Sequence, residues 1–209
     1  MRSDQMAEIL ARQGTQRLYA AGDVMLSQGS RGTYLLVLTT GLAKVVQHRR
    51  DGTVLWLAFR GPGELLGEVS VLSRGHQLRG ADVVAVTPCV TRVLDAHRFR
   101  KFVEENDLHA DLLDRALERT RESDEYRAEL VTLPVPARLA RTVRRLSALT
   151  GNRQLTGLTQ EELAQAVGAS RNSVTEALQD LREVGAVATA RKVISVVDTR
   201  VLDEWADRP

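Results

Sequence analysis

The chain changes its period once, and that change limits the folds open to it. Up to residue 97, turn signals recur at a spacing of about ten residues, as in sheets built from many short strands. Ala21-Gly22-Asp23, Gln28-Gly29-Ser30, Thr40-Gly41, Asp51-Gly52, Gly61-Pro62-Gly63 and Arg74-Gly75-His76 each interrupt an apolar or β-branched run. Asp51-Gly52 is the clearest hairpin signal, because Asp and Gly tolerate the positive φ of a tight turn. From Ala96 to Leu130 there is neither Gly nor Pro. An all-β roll over about residues 15–97, followed by a long helix, satisfies both regimes. A short helix over the first 12 residues, with Met6, Ile9 and Leu10 on one side, precedes the roll.

The long helix carries an apolar stripe at Leu108, Leu112, Leu113, Ala116 and Leu117. Between Glu118 and Glu129 the stripe nearly vanishes, and steps of three and four from Leu117 land on Thr120, Asp124, Arg127 and Val131. A seam with polar residues at core-type positions fits a helix pairing with another helix; a solvated helix with ordinary charge pairs is the alternative. Leu133-Pro134-Val135-Pro136 ends the helix, since proline disfavours helical conformation in the residue before it, and sets the expected domain boundary. A further helix starts near Ala137, with Leu139, Val143, Leu146 and Leu149 inward and Arg138, Arg141, Arg144 and Arg145 elsewhere.

Residues 158–183 carry most of the functional information. Thr159 followed by Glu162 is a capping box that starts a helix with Leu163, Ala164 and Val167 inward. Gly168 permits a tight turn, and Ser170 caps a second helix whose buried stripe is Val174, Leu178 and Leu181. Two short helices about a glycine turn describe a helix-turn-helix, whose second helix enters the DNA major groove. An ordinary helical hairpin would explain those residues alone. It would not explain the two short β-segments that follow around Arg191-Lys192, which read as a wing beside the helix.

Composition excludes several other classes. Hydrophobic residues make up 43% and charged residues 27% of 209, an ordinary globular balance. The single cysteine, Cys89, excludes a disulfide framework, a Cys-rich zinc site and a Cys-ligated iron–sulfur cluster, and its strand-like context makes it a core thiol. His48, His97 and His109 have no metal spacing, and His76 lies in a polar loop. No apolar run near the N-terminus is long enough for a signal peptide or membrane span, so a soluble, cytoplasmic protein is expected. There is no phosphate-loop signature, HExxH, GxSxG, or recognisable nucleophile–base pair, so no enzyme is expected. The net charge of +2 is an average over unlike segments: residues 137–197 hold nine Lys+Arg against five Asp+Glu, whereas 198–209 hold two against four.

A β-roll, a long helix and a winged helix-turn-helix in this order resemble the cyclic AMP receptor protein (CRP/FNR) family of bacterial transcription regulators. The resemblance spans essentially the whole chain. Besides the helix-turn-helix it rests on Gly22-Asp23, Gln28-Gly29, Gly41, Asp51-Gly52, Gly61-Pro62-Gly63 and Leu66-Gly67-Glu68, which fall at the family's glycine turns. It implies an α+β chain with a jelly-roll, cyclic-nucleotide-binding-like domain (1–106), a dimerisation helix (107–133) and a winged helix-turn-helix DNA-binding domain (137–209). The implied partners are double-stranded DNA at a palindromic operator, a second copy of the chain paired through Leu113, Leu117, Thr120 and Asp124, and RNA polymerase. No membrane partner is expected. The roll alone, as a nucleotide sensor for a partner enzyme, would leave residues 158–192 unexplained.

The resemblance also implies an effector pocket for cyclic AMP or cyclic GMP, without metal, haem or an iron–sulfur cluster. Gly67 would let the backbone approach the ligand, and Val69-Ser70-Val71 would open a helix whose free N–H groups favour an anion. Glu68 would accept from the ribose 2′-OH, and Arg79 would hold the cyclic phosphate. One departure stands out: where the family's arginine is followed by Ser or Thr, this chain has Gly80-Ala81. A missing hydrogen bond to a charged group is worth ~1.5–3 kcal/mol, so another ligand, or effector-independent DNA binding with a degenerate pocket, stays open. The spacing from Glu68 to Arg79 is also slightly long. On the long helix, Ser123 and Asp124 fall where cyclic AMP binders use hydroxyls against the adenine, and Asp124 suits a guanine-type donor edge better.

In the recognition helix, Arg171 matches the family's first base-reading arginine and can bond guanine O6 and N7. Asn172 replaces a common Glu, and Glu176 a second reading arginine, so base preference should differ from the familiar operator. A salt bridge from Glu176 to Arg182, or plain solvation, is an equal alternative. Arg191 and Lys192 are phosphate candidates, and Thr159, Ser170, Ser173 and Thr175 complete the DNA-binding set as neutral donors.

Overall fold

The computed structural model describes residues 3–73 and 78–208, so Arg74-Gly75-His76 lies outside the described residues. Contacts divide the chain into two compact units, residues 1–122 and 123–209.

The first unit opens with α1 (Ser3–Gln13), then β1 (Thr15–Tyr19), β2 (Val24–Leu26), β3 (Tyr34–Thr40), β4 (Ala43–His48), β5 (Val54–Arg60) and β6 (Leu65–Leu66). α2 (Glu68–Leu72), β7 (Asp82–Ala85), β8 (Cys89–Asp95), α3 (Ala96–Glu105) and α4 (His109–Thr132) follow. The strands make two four-stranded antiparallel sheets, ordered β1-β8-β3-β6 and β2-β7-β4-β5. The Asp51-Gly52 hairpin joins β4 to β5 as expected, with Arg49 N donating to Thr53 O at 2.9 Å.

β3 explains how the layers stack. Its Leu36 and Leu38 pack with Met25, Ala43, Val83 and Cys89 between the two sheets. Its Leu35 and Val37 face the other way, against Met6 and Leu10 of α1, Val71 of α2 and Phe99 and Val103 of α3. Ile9, expected on the same side of α1 as Met6 and Leu10, is exposed instead. Because side chains alternate along a strand, a strand buried on both faces must be apolar throughout, as Leu35-Leu36-Val37-Leu38 is. Cys89 is buried, and burial pushes its thiol up to about 11, in keeping with a core residue.

Two expectations for the long helix are corrected. The segment from Ala96 to Leu130 is not continuous: α3 ends at Glu105 and the chain turns through Asp107, whose φ is 50°. A left-handed residue cannot continue a right-handed helix, and Asp tolerates that conformation better than most residues. The single apolar stripe is also two faces, with Leu108 and Leu112 in the roll's core and Leu113 and Leu117 60% and 48% exposed. The first unit ends at Glu122, before the expected boundary at Leu133–Pro136, because the last turns of α4 pack into the second unit.

That unit contains α5 (Val135–Thr150), β9 (Gln154–Thr156), α6 (Gln160–Val167), α7 (Arg171–Glu183), β10 (Val187–Ala190), β11 (Val193–Val196) and α8 (Thr199–Ala206). Near the end of α4, Tyr126 Oη donates to Ala166 O at 2.5 Å. Glu129 is 6% exposed and pairs with Arg141 at 3.1 Å and with Arg145. Gly168 closes α6 at φ 60°, where a Cβ would also meet the Leu130 side chain. Most of the acidic stretch after Val197 forms α8. Asp198 caps α8, Leu202 and Ala206 are buried, and Asp203 pairs with Arg144 at 3.3 Å.

Candidate effector pocket and nucleic-acid interface

The pocket is built where β6 runs into α2. Gly67 makes that turn at φ 85°, and the guanidinium of Arg79 lies directly against it. A Cβ at residue 67 would overlap Arg79 Nη1 and sit 2.8 Å from Leu26 Cδ1, so glycine is required for both conformation and space. Arg79 is 5% exposed. Its Nη2 donates to Tyr34 O at 2.5 Å, its Nη1 to Ser70 Oγ at 3.4 Å, and its Cζ lies 5.0 Å from the Tyr34 ring centroid. Among the described residues no carboxylate forms an ion pair with it. Burial pulls its pKa below the ordinary arginine value, against the raising influence of Tyr34 and Glu68. A buried cation held only by neutral acceptors is short of an anion.

Gly67, Glu68, Val69, Ser70, Arg79 and Gly80 all line one cavity of about 400 Å³ with this guanidinium in its wall. Leu26, Val45, Leu65, Leu66 and Val83 add apolar walls. Ser123, half-buried, and Asp124, exposed and paired with Arg127 at 3.1 Å, are not among its lining residues. Glu68, expected to accept from a ribose hydroxyl, also has a partner within the protein. Its carboxylate is paired with Arg119 of α4, which also donates to Leu65 O at 2.8 Å. Arg119 is not legible in the sequence as a pocket residue, because a lone arginine in a charged helix segment looks solvated. Arg60, at the end of β5, also lines the cavity, and its Nη1 donates to Phe59 O at 2.7 Å and to Glu122 at 3.2 Å. Ser70 Oγ lies beside Arg79 and donates its one proton to Gly67 O at 2.9 Å, so it does not replace the donor absent at Gly80-Ala81.

The second unit forms the expected helix-turn-helix. Thr159 and Glu162 complete the capping box of α6, with Glu162 N donating to Thr159 Oγ1 at 3.1 Å. Ser170 caps α7 by accepting from Ser173 N at 3.1 Å, and its hydroxyl meets that of Ser173 at 2.9 Å. Thr175 Oγ1 donates to Arg171 O at 2.9 Å and lies 3.2 Å from Gln160 Oε1. The hydroxyls expected to meet phosphate therefore already shape the motif. Arg171, Asn172 and Glu176 are exposed on α7. Glu176 does not pair with Arg182, which instead donates to Thr189 at 3.4 Å.

The wing is a three-stranded antiparallel sheet, β10-β11-β9, and the three residues of β9 are too few to give a strand signal in the sequence. Arg191 and Lys192 are exposed at its tip, where Lys192 has φ 56° and its carbonyl accepts from Gly157 N at 3.0 Å. Arg138 caps the end of α6 through Val167 O at 2.7 Å, and Arg141, Arg144 and Arg145 are held in ion pairs. Arg171, Arg191 and Lys192, by contrast, have no acidic partner among the described residues.

Comparison with known proteins places these units. A family profile described as a cyclic nucleotide-binding domain matches residues 16–106, and one described as a Crp-like helix-turn-helix domain matches residues 137–205. A Mycobacterium tuberculosis protein named CRP-like cAMP-activated global transcriptional regulator is 28% identical, over 94% of this chain and 98% of its own. The Escherichia coli cAMP-activated global transcriptional regulator CRP is 26% identical over 87% and 89%. A solved CRP-family transcriptional regulator from Thermus thermophilus matches with a TM-score of 0.71 at 27% identity, over 92% and 97% of the chains. FixK2 from Bradyrhizobium japonicum has a TM-score of 0.80 at 16% identity, over 94% and 98%, a likeness of fold.

Proposed function

We propose, from the premise that the chain belongs to the CRP/FNR family of transcription regulators, that a cyclic nucleotide in the roll controls its binding to palindromic DNA as a homodimer in the cytoplasm. Arg79 carries this reading: it is a buried cation without a carboxylate partner among the described residues, in the wall of a cavity sized for one nucleotide. A cyclic phosphodiester brings the one negative charge that such a cation lacks. The relatives named as cAMP-activated support the same ligand class.

α4 offers the means of control. Arg119 and Glu122 of this helix reach pocket residues, while Leu113 and Leu117 on it are exposed apolar side chains suited to pairing with a second copy. Thr120 and Asp124 continue that seam. A ligand that alters how Arg119 is held changes the energy of the helix that joins two copies, and with it the spacing of two recognition helices.

DNA titrations of point variants test the reading part. Arg171→Ala should cost ~1–3 kcal/mol at one base-pair position and relax preference there, whereas Lys192→Ala should weaken all sequences alike. A uniform loss from Arg171→Ala would remove it from the base-reading set.

A further inference from the structure

Resting on the cyclic-nucleotide reading of this pocket, we propose that its base end is built for a 6-oxopurine, read by Arg60. The side chain of Arg60 is 10% exposed and lines the same cavity as Arg79. The two guanidiniums stand at different stations. Arg60 lies beside Glu64, with Nε 3.9 Å from its carboxylate, and Arg79 lies against Gly67. Glu64 and Gly67 are joined through β6, and three extended residues span about 10 Å. That is comparable to the reach of a purine nucleoside cyclic phosphate from its phosphate to the far edge of its base. Leu65 and Leu66 lie between the two stations, with Leu26 and Val83 also lining the cavity, apolar surface suited to ring faces.

The two arginines also differ in what already neutralises them. Arg79 has only neutral acceptors among the described residues. Arg60 has Glu122 at 3.2 Å and Glu64 nearby, so its charge is matched within the protein and it is not placed to hold a second anion. What Arg60 retains is hydrogen-bonding capacity. Nη1 is used by Phe59 O and Glu122, and Nη2 has no protein partner among the described residues. A guanidinium donates five ways and accepts none. The neighbouring cavity cation, Arg119, is likewise a donor only, already taken by Glu68 and Leu65 O. Guanine and hypoxanthine present O6 and N7, a pair of acceptors that arginine bonds well, whereas adenine puts an amino donor at position 6. Donor against donor is repulsive, so the pocket discriminates at that atom.

Calorimetry of the full-length protein with cyclic GMP, cyclic IMP and cyclic AMP tests this. Cyclic GMP and cyclic IMP should each bind roughly ten- to a hundredfold more tightly than cyclic AMP, the value of one hydrogen bond to a charged group. Cyclic IMP isolates O6 from the 2-amino group. Arg60→Leu should erase the preference, bringing cyclic GMP and cyclic IMP to the affinity of cyclic AMP, and Arg60→Lys should keep part of it. The wild-type comparison needs no variant to fold. Equal or tighter binding of cyclic AMP would overturn the base assignment and leave the phosphate site standing. Tight cyclic GMP with weak cyclic IMP would move recognition to the 2-amino group and also overturn it. No binding of any of the three would overturn the cyclic-nucleotide reading and this inference together.

Discussion

Replacing Gly67 by alanine tests whether the fold and the pocket share one constraint. The residue sits at φ 85°, where an L side chain costs about 1 kcal/mol. The new methyl group would also overlap Arg79 Nη1 and crowd Leu26, so Arg79 must move. Its hydrogen bonds to Tyr34 O and Ser70 Oγ weaken, adding about 1 kcal/mol or more. A total loss of ~2 kcal/mol lowers the urea midpoint by about 1 M at a typical m-value, measurable by circular dichroism. Cyclic-nucleotide affinity should fall by roughly ten- to a hundredfold in calorimetry, because the cation no longer meets the phosphate. Gly80→Ala is the stability control: a Cβ there meets nothing within 4 Å, so it should leave the urea midpoint unchanged. A Gly67→Ala protein that binds cyclic nucleotide like the wild type would refute the placement of Arg79 as the anion site.

Two further perturbations address the remaining parts. Glu129→Ala leaves Arg141 and Arg145 without their shared carboxylate, and it should destabilise the second unit by ~2–3 kcal/mol in urea, discounted from a fully buried pair because the arginines are partly exposed. No change in midpoint would mean that water replaces the carboxylate freely. Leu113→Glu combined with Leu117→Glu should prevent the proposed pairing of two copies, since burying each half-exposed leucine contributes about 1 kcal/mol and pairing would bury both from each. Light scattering that reports a dimer for wild type and variant alike would move the proposed interface off this face.

How far the sequence announces the structure depends on whether a signal is local. Asp51-Gly52, the Thr159–Glu162 capping box, Gly168 and Ser170 all act through their own backbone and neighbours within a few residues, and each is where the pattern places it. Gly67, Glu68 and Ser70 are legible through the motif they share with the family, Arg79 follows at a slightly longer spacing, and all four line one cavity. What stays hidden is tertiary. Arg60 and Arg119 come from elements far apart in sequence, and nothing near either residue signals burial. The break at Asp107 needs no glycine, so composition does not reveal it. The acidic stretch after Val197 reads as a tail, yet it forms a helix whose Asp203 neutralises Arg144 of α5. The segmental charge of 137–197 therefore overstates the surface available to DNA. Arg138, Arg141, Arg144 and Arg145 serve the fold, whereas Arg171, Arg191 and Lys192, proposed to meet DNA, are exposed.

If Arg79 senses the effector and Arg171 reads DNA, the two binding events must be coupled in free energy. Fluorescence anisotropy of the full-length protein on a palindromic duplex selected from a random pool, with and without saturating cyclic GMP or cyclic AMP, measures that coupling. Nucleotide should change DNA affinity by roughly 5- to 150-fold, the usual range of coupling between two sites, and Arg79→Ala should abolish the change while leaving basal binding intact. The same DNA affinity with and without nucleotide would contradict effector control.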